Sequence, residues 1–218
     1  MLSKKNLNSF LSKKKVLITG HTGFKGSWLV SILSRYDCKI YGISSRNFEN
    51  KLNYNFIKNK ISKEFFFDIC NIKRTSDTIS YLKPDIIFHL AAQSLVFTSY
   101  KSPYFTMINN FNSTLSILET IKNYNRKLIC IFITSDKVYQ NNDKKIDYKE
   151  TDILRGDDPY SASKVSIEMA IHAYSSILKK NKLINFGVAR AGNVIGGGDW
   201  SNDRIIPDAY KAWNNKKK

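Results

Sequence analysis

No apolar run in this sequence approaches the ~20 residues that cross a bilayer, so no membrane span is expected. The opening stretch MLSKKNLNSFLSKKK carries lysines but no apolar h-region ahead of the first apolar run, which predicts a soluble, cytoplasmic protein. Cysteine is scarce. Cys38, Cys70 and Cys130 stand far apart, in or beside predicted strands, a spacing that fits neither a metal site nor a disulfide framework. They read as reduced, buried thiols, and no metal is expected. Only four prolines interrupt 218 residues that are 42% hydrophobic, enough to bury a substantial core as one domain plus part of another. Repeats and low-complexity linkers are absent.

Acidic residues are also few, 18 against 35 basic, for a formal charge of +17. That excess raises a nucleic-acid binder as one hypothesis. Against it, the lysines are scattered through every segment, with short runs only at 13–15 and 216–218, and no nucleic-acid motif accompanies them. Asn and Ile are abundant as well, a bias that genomic base composition produces. An anionic small ligand fits the charge at least as well, and nucleic acid is not expected as a partner.

What the sequence does contain is alternation. Short runs rich in Val, Ile and Phe occur at 16–20, 39–44, 64–69, 85–91, 128–135 and 185–192. Between them, helical spacing covers 24–36, 75–82, 103–124 and 160–180. Continuous apolar strands separated by helices predict an α/β fold, a doubly wound parallel sheet covered on both faces. Lysine and asparagine crowd 45–63 and 140–149, which are expected as surface loops. In such a sheet, ligands bind beyond the carboxyl ends of the strands.

Two features sit at those ends. After the first strand, GHTGFKG spaces Gly20, Gly23 and Gly26 as G-x-x-G-x-x-G and runs into a helix. Glycines there permit a tight turn and close approach to a diphosphate, and the helix N-terminus offers N–H groups and positive potential. The acidic residue that grips an adenosine ribose about 20 residues on, and that would mark NAD, is missing, since Ser44, Ser45 and Arg46 stand there, so NADP stays open beside NAD. The second feature is ITSDKVY, where an apolar strand delivers Ser135, Asp136 and Lys137 together, followed by DPYSASK. Tyr160 and Lys164 lie four apart on one helical face. A phenol with a reference pKa near 10 is a poor base unless a nearby cation favours phenolate, and Lys164 is the expected cation.

GHTGFKGSWL, HLAAQSLV, TSDKVY, DPYSASK, ARAGNVIGGGDW and DRIIPD together resemble the extended short-chain dehydrogenases that act on nucleotide sugars, the NAD-dependent epimerase/dehydratase family, and within it the CDP-glucose 4,6-dehydratase branch. The resemblance implies a Rossmann-like NAD(P)-binding domain over 1–192 and the start of a small, truncated C-terminal substrate domain over 193–218. It implies oxidation at C4 of CDP-glucose, loss of water across C5 and C6, and reduction at C6. In those terms Ser135 donates to the C4 oxygen, Asp136 is the acid for the C6 hydroxyl, and Tyr160 with Lys164 handles the C4 proton. Lys137 stands where other branches carry a glutamate base; it acts as base only if burial or neighbours depress its pKa, or else it orients another group. The cofactor site implied comprises Gly20, Thr22, Gly23, Phe24, Gly26, Ser44, Asp68, Ile69, Leu90, Ala91, Ala92, Asn110 and Lys164, with Asp68 toward the adenine. Gln93, Asn193 and Arg204 fall where the sugar nucleotide is held. His89 reads as a core histidine rather than a catalyst. Three departures stand out: Phe97 replaces an arginine, Ser113 a glycine, and Arg155 a glycine before the 157–159 turn. The superfamily often forms homodimers through its long helices, and that is expected here.

Overall fold

The structure, a computed structural model, describes residues 4–45, 51–141 and 147–215. Six strands, β1 (Lys15–Thr19), β2 (Lys39–Ser44), β3 (Lys63–Phe66), β4 (Ile86–His89), β5 (Leu128–Ile133) and β6 (Ile184–Ala189), form one sheet in the order β3-β2-β1-β4-β5-β6. Every pairing is parallel. The order reverses between β1 and β4, and the opening beyond their carboxyl ends is where such a sheet accepts a ligand.

Eight helices accompany the strands among the described residues: α1 (Lys4–Leu11), α2 (Phe24–Leu33), α3 (Lys51–Ile57), α4 (Ile72–Leu82), α5 (Val96–Lys101), α6 (Pro103–Lys122), α7 (Pro159–Lys180) and α8 (Ile205–Asn214). Alternate residues of each strand serve opposite layers, as the pleat requires. Leu17 and Ile87 pack with Ile79 of α4, Ile117 and Ile121 of α6 and Ile167 and Ile171 of α7. Val16, Ile18 and Ile86 pack with Leu11 of α1, Val30 and Leu33 of α2 and Ile57 of α3.

The six expected strands and four expected helices are all present. The expected loop over 45–63 is not one. Residues 46–50, Arg46 included, lie outside the described residues, but α3 and a 3-10 turn at Lys58–Lys60 follow them, and Ile57 is 2% exposed. Tyr54 and Ile57 share one helical side and pack on the α2 layer, a spacing hidden in the sequence by its asparagines and lysines. Of the second expected loop, 142–146 lie outside the described residues. α1, α5 and α8 were not anticipated either; α8 tolerates Pro207 because a first-turn residue has no intrahelical N–H bond to lose.

Candidate active site

The carboxyl end of β1 turns sharply at Gly20, whose φ is 71°. A side chain there would bring its Cβ within 2.9 Å of the Ala91 nitrogen, and one on Gly26 would sit 2.1 Å from the Gly20 carbonyl oxygen. Bare backbone at these two positions lets β1, the start of α2 and the segment after β4 close on one another. Gly23 is the N-cap of α2, and no side chain caps the first N–H groups of that helix. Those groups therefore stand ready for an anion, which is what a dinucleotide diphosphate offers. Thr22 and Ser44 are both buried and share a hydrogen bond of 2.6 Å across β1 and β2. Phe24 opens the helix, and its ring lies against Gly196. Asp68 is exposed and accepts from the Cys70 N–H at 2.9 Å, while Ile69 beside it is buried.

Thr19, at the last position of β1, organises the segment after β4. Its hydroxyl accepts from the Leu90 and Ala91 N–H groups at 3.1 and 3.2 Å, so its own proton goes to His89 Nδ1 at 2.8 Å. That leaves His89 Nε2–H to donate to Thr114 Oγ1 at 3.1 Å. The histidine is a buried structural link, as its apolar strand suggested, and burial pushes its pKa down to about 3. Asn110, fully buried on α6, accepts from the Gln93 N–H at 2.7 Å and donates to the Gln93 carbonyl and the Ser163 hydroxyl. It holds Gln93 at both its N–H and its carbonyl, while Thr19 holds Leu90 and Ala91. The Gln93 amide turns back on its own segment, donating to Leu95 O and Thr106 Oγ1 and accepting from the Leu95 N–H. Ser113, the departure on α6, is buried and donates to Asn110 O at 2.9 Å.

β5 ends at Ile133, and Ser135 caps a 3-10 turn at Asp136–Val138 by accepting from the Lys137 N–H. Ser135 is buried and donates to Asp136 Oδ1 at 3.1 Å. Asp136 and Lys137 are exposed, so burial, one condition raised for a lysine base, is not met by the surroundings of Lys137. Asp158 caps α7, Pro159 begins it, and the first turn carries Tyr160 to the trio. Burial pushes the Tyr160 phenol up; a hydrogen bond with Ser135 and the charge of Arg204 pull it back, and Asp136 and Asp158 oppose them.

Lys164, the cation expected for this phenol, stands beside its ring. Its Nζ lies 5.9 Å from the Tyr160 ring centre and donates to the Ile133 carbonyl at 3.3 Å. Burial first, then the like charge of Lys25, pushes its pKa down to about 8. Arg204, just before α8 and 3.7 Å from Asp199, is a second cation, whose charge pulls the Tyr160 phenol down. Lys25 is a member of this cluster that the glycine motif concealed: it is half-buried, lowered by burial and by Arg204 and raised by Asp136. A lysine between two glycines of a phosphate turn was the available signal. Asn193 is exposed at the rim, one residue beyond Gly192, where a Cβ would stand 3.4 Å from Asp136 Oδ2. Arg155 needs no left-handed backbone, because the positive φ of its turn, 70°, falls on Gly156. Phe97 is exposed on α5.

A separate cavity of about 520 Å³ lies at the amino ends of β1 to β3, lined by Lys15, Lys39, Tyr41, Ser62, Lys63, Tyr81 and Leu82. It contains neither the glycine turn nor any of the trio. Among the described residues no helix is long and apolar enough to cross a membrane, and no group of three or more His, Cys, Asp or Glu side chains is placed to hold a metal ion.

The chain is similar to known proteins. The chain is 36% identical to CDP-glucose 4,6-dehydratase of Salmonella typhimurium over 215 residues, which is 96% of this chain and 60% of that one. Its fold superposes on a dTDP-glucose 4,6-dehydratase from Bacillus anthracis in complex with NAD, at 25% identity and a TM-score of 0.78, covering 94% of this chain and 63% of the other. A UDP-glucuronic acid 4-epimerase from Bacillus cereus, in complex with UDP-glucuronic acid and NAD, gives 27% identity, a TM-score of 0.79 and coverage of 93% and 64%. The chain thus spans somewhat less than two thirds of the length of these relatives. With the glycine turn, the trio and the tyrosine helix all inside the matched stretch of residues 17–185, the chain belongs to the GDP-mannose 4,6 dehydratase family.

Proposed function

We propose that this chain is the cofactor-binding and proton-handling part of an NAD-dependent nucleotide-sugar 4,6-dehydratase, with CDP-glucose as substrate. The observation that carries the reading is the convergence of Tyr160, Ser135 and Asp136 beyond the carboxyl end of β5, with Lys25 of the glycine turn near enough to feel the Asp136 charge. Epimerisation at C4 needs no acid for C6, and an exposed carboxylate touching Ser135 is what a dehydratase adds.

The uncapped N-terminus of α2 with Gly20, Gly23 and Gly26 fits the diphosphate of NAD; Thr22 and Ser44, Asp68 and Ile69, and Leu90, Ala91 and Ala92 would hold the rest of the cofactor. NAD, when bound, supplies the oxidation at C4 and returns the electrons at C6. The protein handles the protons. Ser135 and Tyr160 share the C4 hydroxyl, Tyr160 taking its proton with Arg204 favouring the phenolate. Lys164, held to Ile133 O, would also hold the cofactor ribose. Asp136 gives its proton to the departing C6 oxygen, and Lys137 stands on the same turn as the candidate partner for the C5 hydrogen. Asn193 and Arg204 border the sugar nucleotide, in the segment 193–218 that we assign to the beginning of a substrate domain; residues 1–192 form the cofactor domain. We place the protein in the cytoplasm as a homodimer joined through α6 and α7.

The test is incubation with NAD and CDP-, dTDP-, UDP- and GDP-glucose, following the 4-keto-6-deoxy product. Product from CDP-glucose supports the reading. Asp136→Asn is expected to lose elimination by about 10²-fold or more while still oxidising C4. Equal product from Asp136→Asn and the parent would overturn the assignment of the acid.

A further inference from the structure

We infer that Glu168 and Arg190 form a positioning pair that sets the register of α7 against the end of β5, keeping Tyr160 opposite Ser135 and Asp136; its catalytic consequence rests on the dehydratase reading. Tyr160, Lys164 and Glu168 follow at intervals of four along one stripe of α7. Each meets the end of β5. Tyr160 meets Ser135, whose hydroxyl pulls the phenol down, Lys164 donates to Ile133 O at 3.3 Å, and Glu168 accepts from the Thr134 hydroxyl at 2.7 Å. Three successive turns of helix are thereby keyed to three consecutive residues, the last of which opens the trio.

Glu168 is 5% exposed, a position where a carboxylate is costly unless its lone pairs are met. Arg190, at the carboxyl end of β6, meets them. Its Nε donates to both carboxylate oxygens at 3.0 Å and its Nη2 to Oε2 at 2.6 Å. The guanidinium is fixed in turn by the Tyr139 hydroxyl at 2.9 Å and Glu150 O at 3.1 Å, and it lies 4.8 Å from the Tyr139 ring, which stacks on Tyr148. Past Arg190 the chain borders Asp136, whose N–H donates to Ala191 O at 3.2 Å. A hydrophobic pair would fill the space without desolvating two charges. The planar, forked contact adds direction, which packing alone lacks. Neither residue reaches the glycine turn or the exposed face of the trio, so both act through Ser135, Asp136 and Tyr160.

The experiment is an ultraviolet difference titration of the Tyr160 phenol, taken against Tyr160→Phe in each background, with thermal midpoint and product formation from CDP-glucose. The groups facing the phenol are Ser135, Asp136, Asp158, Lys164 and Arg204, and all are kept. The double variant Glu168→Leu with Arg190→Met keeps the volume and removes both charges, so it is expected to fold. Loss of the Ser135 hydrogen bond should raise the Tyr160 midpoint and lower kcat about tenfold or more with KM little changed. Glu168→Gln, which retains Thr134 and one Arg190 contact, should fall between the double variant and the parent. If both variants fold and Tyr160 titrates as in the parent, the positioning role is overturned; Glu168→Gln alone decides should the double variant not fold. Product from the Tyr160→Phe protein at the parental rate would sink the dehydratase reading instead, and the titration still judges the pair.

Discussion

At the scale of single residues, the site depends on atoms that are missing as much as on those present. A methyl group at position 26 would lie 2.1 Å from a backbone oxygen that has nowhere to move, because Gly20 is itself pressed against Ala91. Gly26→Ala is therefore expected to lower stability by about 3 kcal/mol and to abolish NAD binding, checked by denaturant unfolding and calorimetry. Gly23→Ala, whose Cβ would meet only the Gly20 oxygen at 3.3 Å at an ordinary φ of −72°, should bind and fold nearly as the parent does. Lys164 illustrates the opposite case, a group present at an energetic cost. Its pKa falls from 10.5 to about 8 on folding, so the unfolded chain holds more protons between those values and the parent gains stability as pH rises through that window. Below about pH 8 the burial penalty is in force. Lys164→Met should be the more stable protein at pH 7, by up to about 3 kcal/mol less the lost bond to Ile133 O, with the gap narrowing toward pH 10.5. Thermal unfolding across pH 6 to 10.5 measures it.

At the scale of elements, α7 does most of the positioning, and its start is built to hold still. Asp158 accepts from the Ser161 N–H at 3.0 Å and from its hydroxyl at 2.5 Å, with Pro159 beginning the helix and Tyr160 next. Asp158→Ala should cost about 1 kcal/mol through the lost cap. Asp158→Asn keeps the cap and removes a negative charge that raises the Tyr160 phenol, so it should leave stability near the parent and lower the phenol midpoint, read by the same titration. α2 is held from outside as well: Trp28 Nε1 and Asn53 Nδ2 both donate to Gly197 O, at 3.0 and 3.2 Å. The glycines at 196–198 thus lie across the helix whose N-terminus is the proposed diphosphate site.

At the scale of the whole molecule, one end of the sheet gathers the polar groups and the helical flank leaves apolar ones uncovered. Tyr104, Phe105 and Ile108 of α6 are 78%, 55% and 43% exposed, and Met169 of α7 is 51% exposed. Phe105 and Ile108 share a side of the helix. If α6 and α7 form the dimer proposed above, sedimentation velocity should show a concentration-dependent dimer, and Phe105→Glu with Ile108→Glu should leave a monomer that still binds NAD. A parent that stays monomeric at high concentration would remove the dimer from the account. Ile205, Ile206 and Trp213 on α8 add a second exposed apolar surface at 81%, 53% and 76%.

The doubly wound sheet was legible in the sequence because buried parallel strands are written as unbroken apolar runs, from VLITG to NFGVARAG, with helical spacing between them. Glycine, serine, aspartate and tyrosine in the turns were legible too, since turn chemistry is local. What the sequence left unread depends on who faces whom. Lys164 and Tyr160 share a helical face, as their spacing requires, but the ammonium also donates to Ile133 O, and the charge of a second cation, Arg204, reaches the phenol from forty-four positions along the chain. Lys25 joins the cluster, and Glu168 and Arg190 lock it, for the same reason. Periodicity sets which residues point inward, and only the packing of β5, β6 and α7 against one another decides which charges meet in the space they enclose.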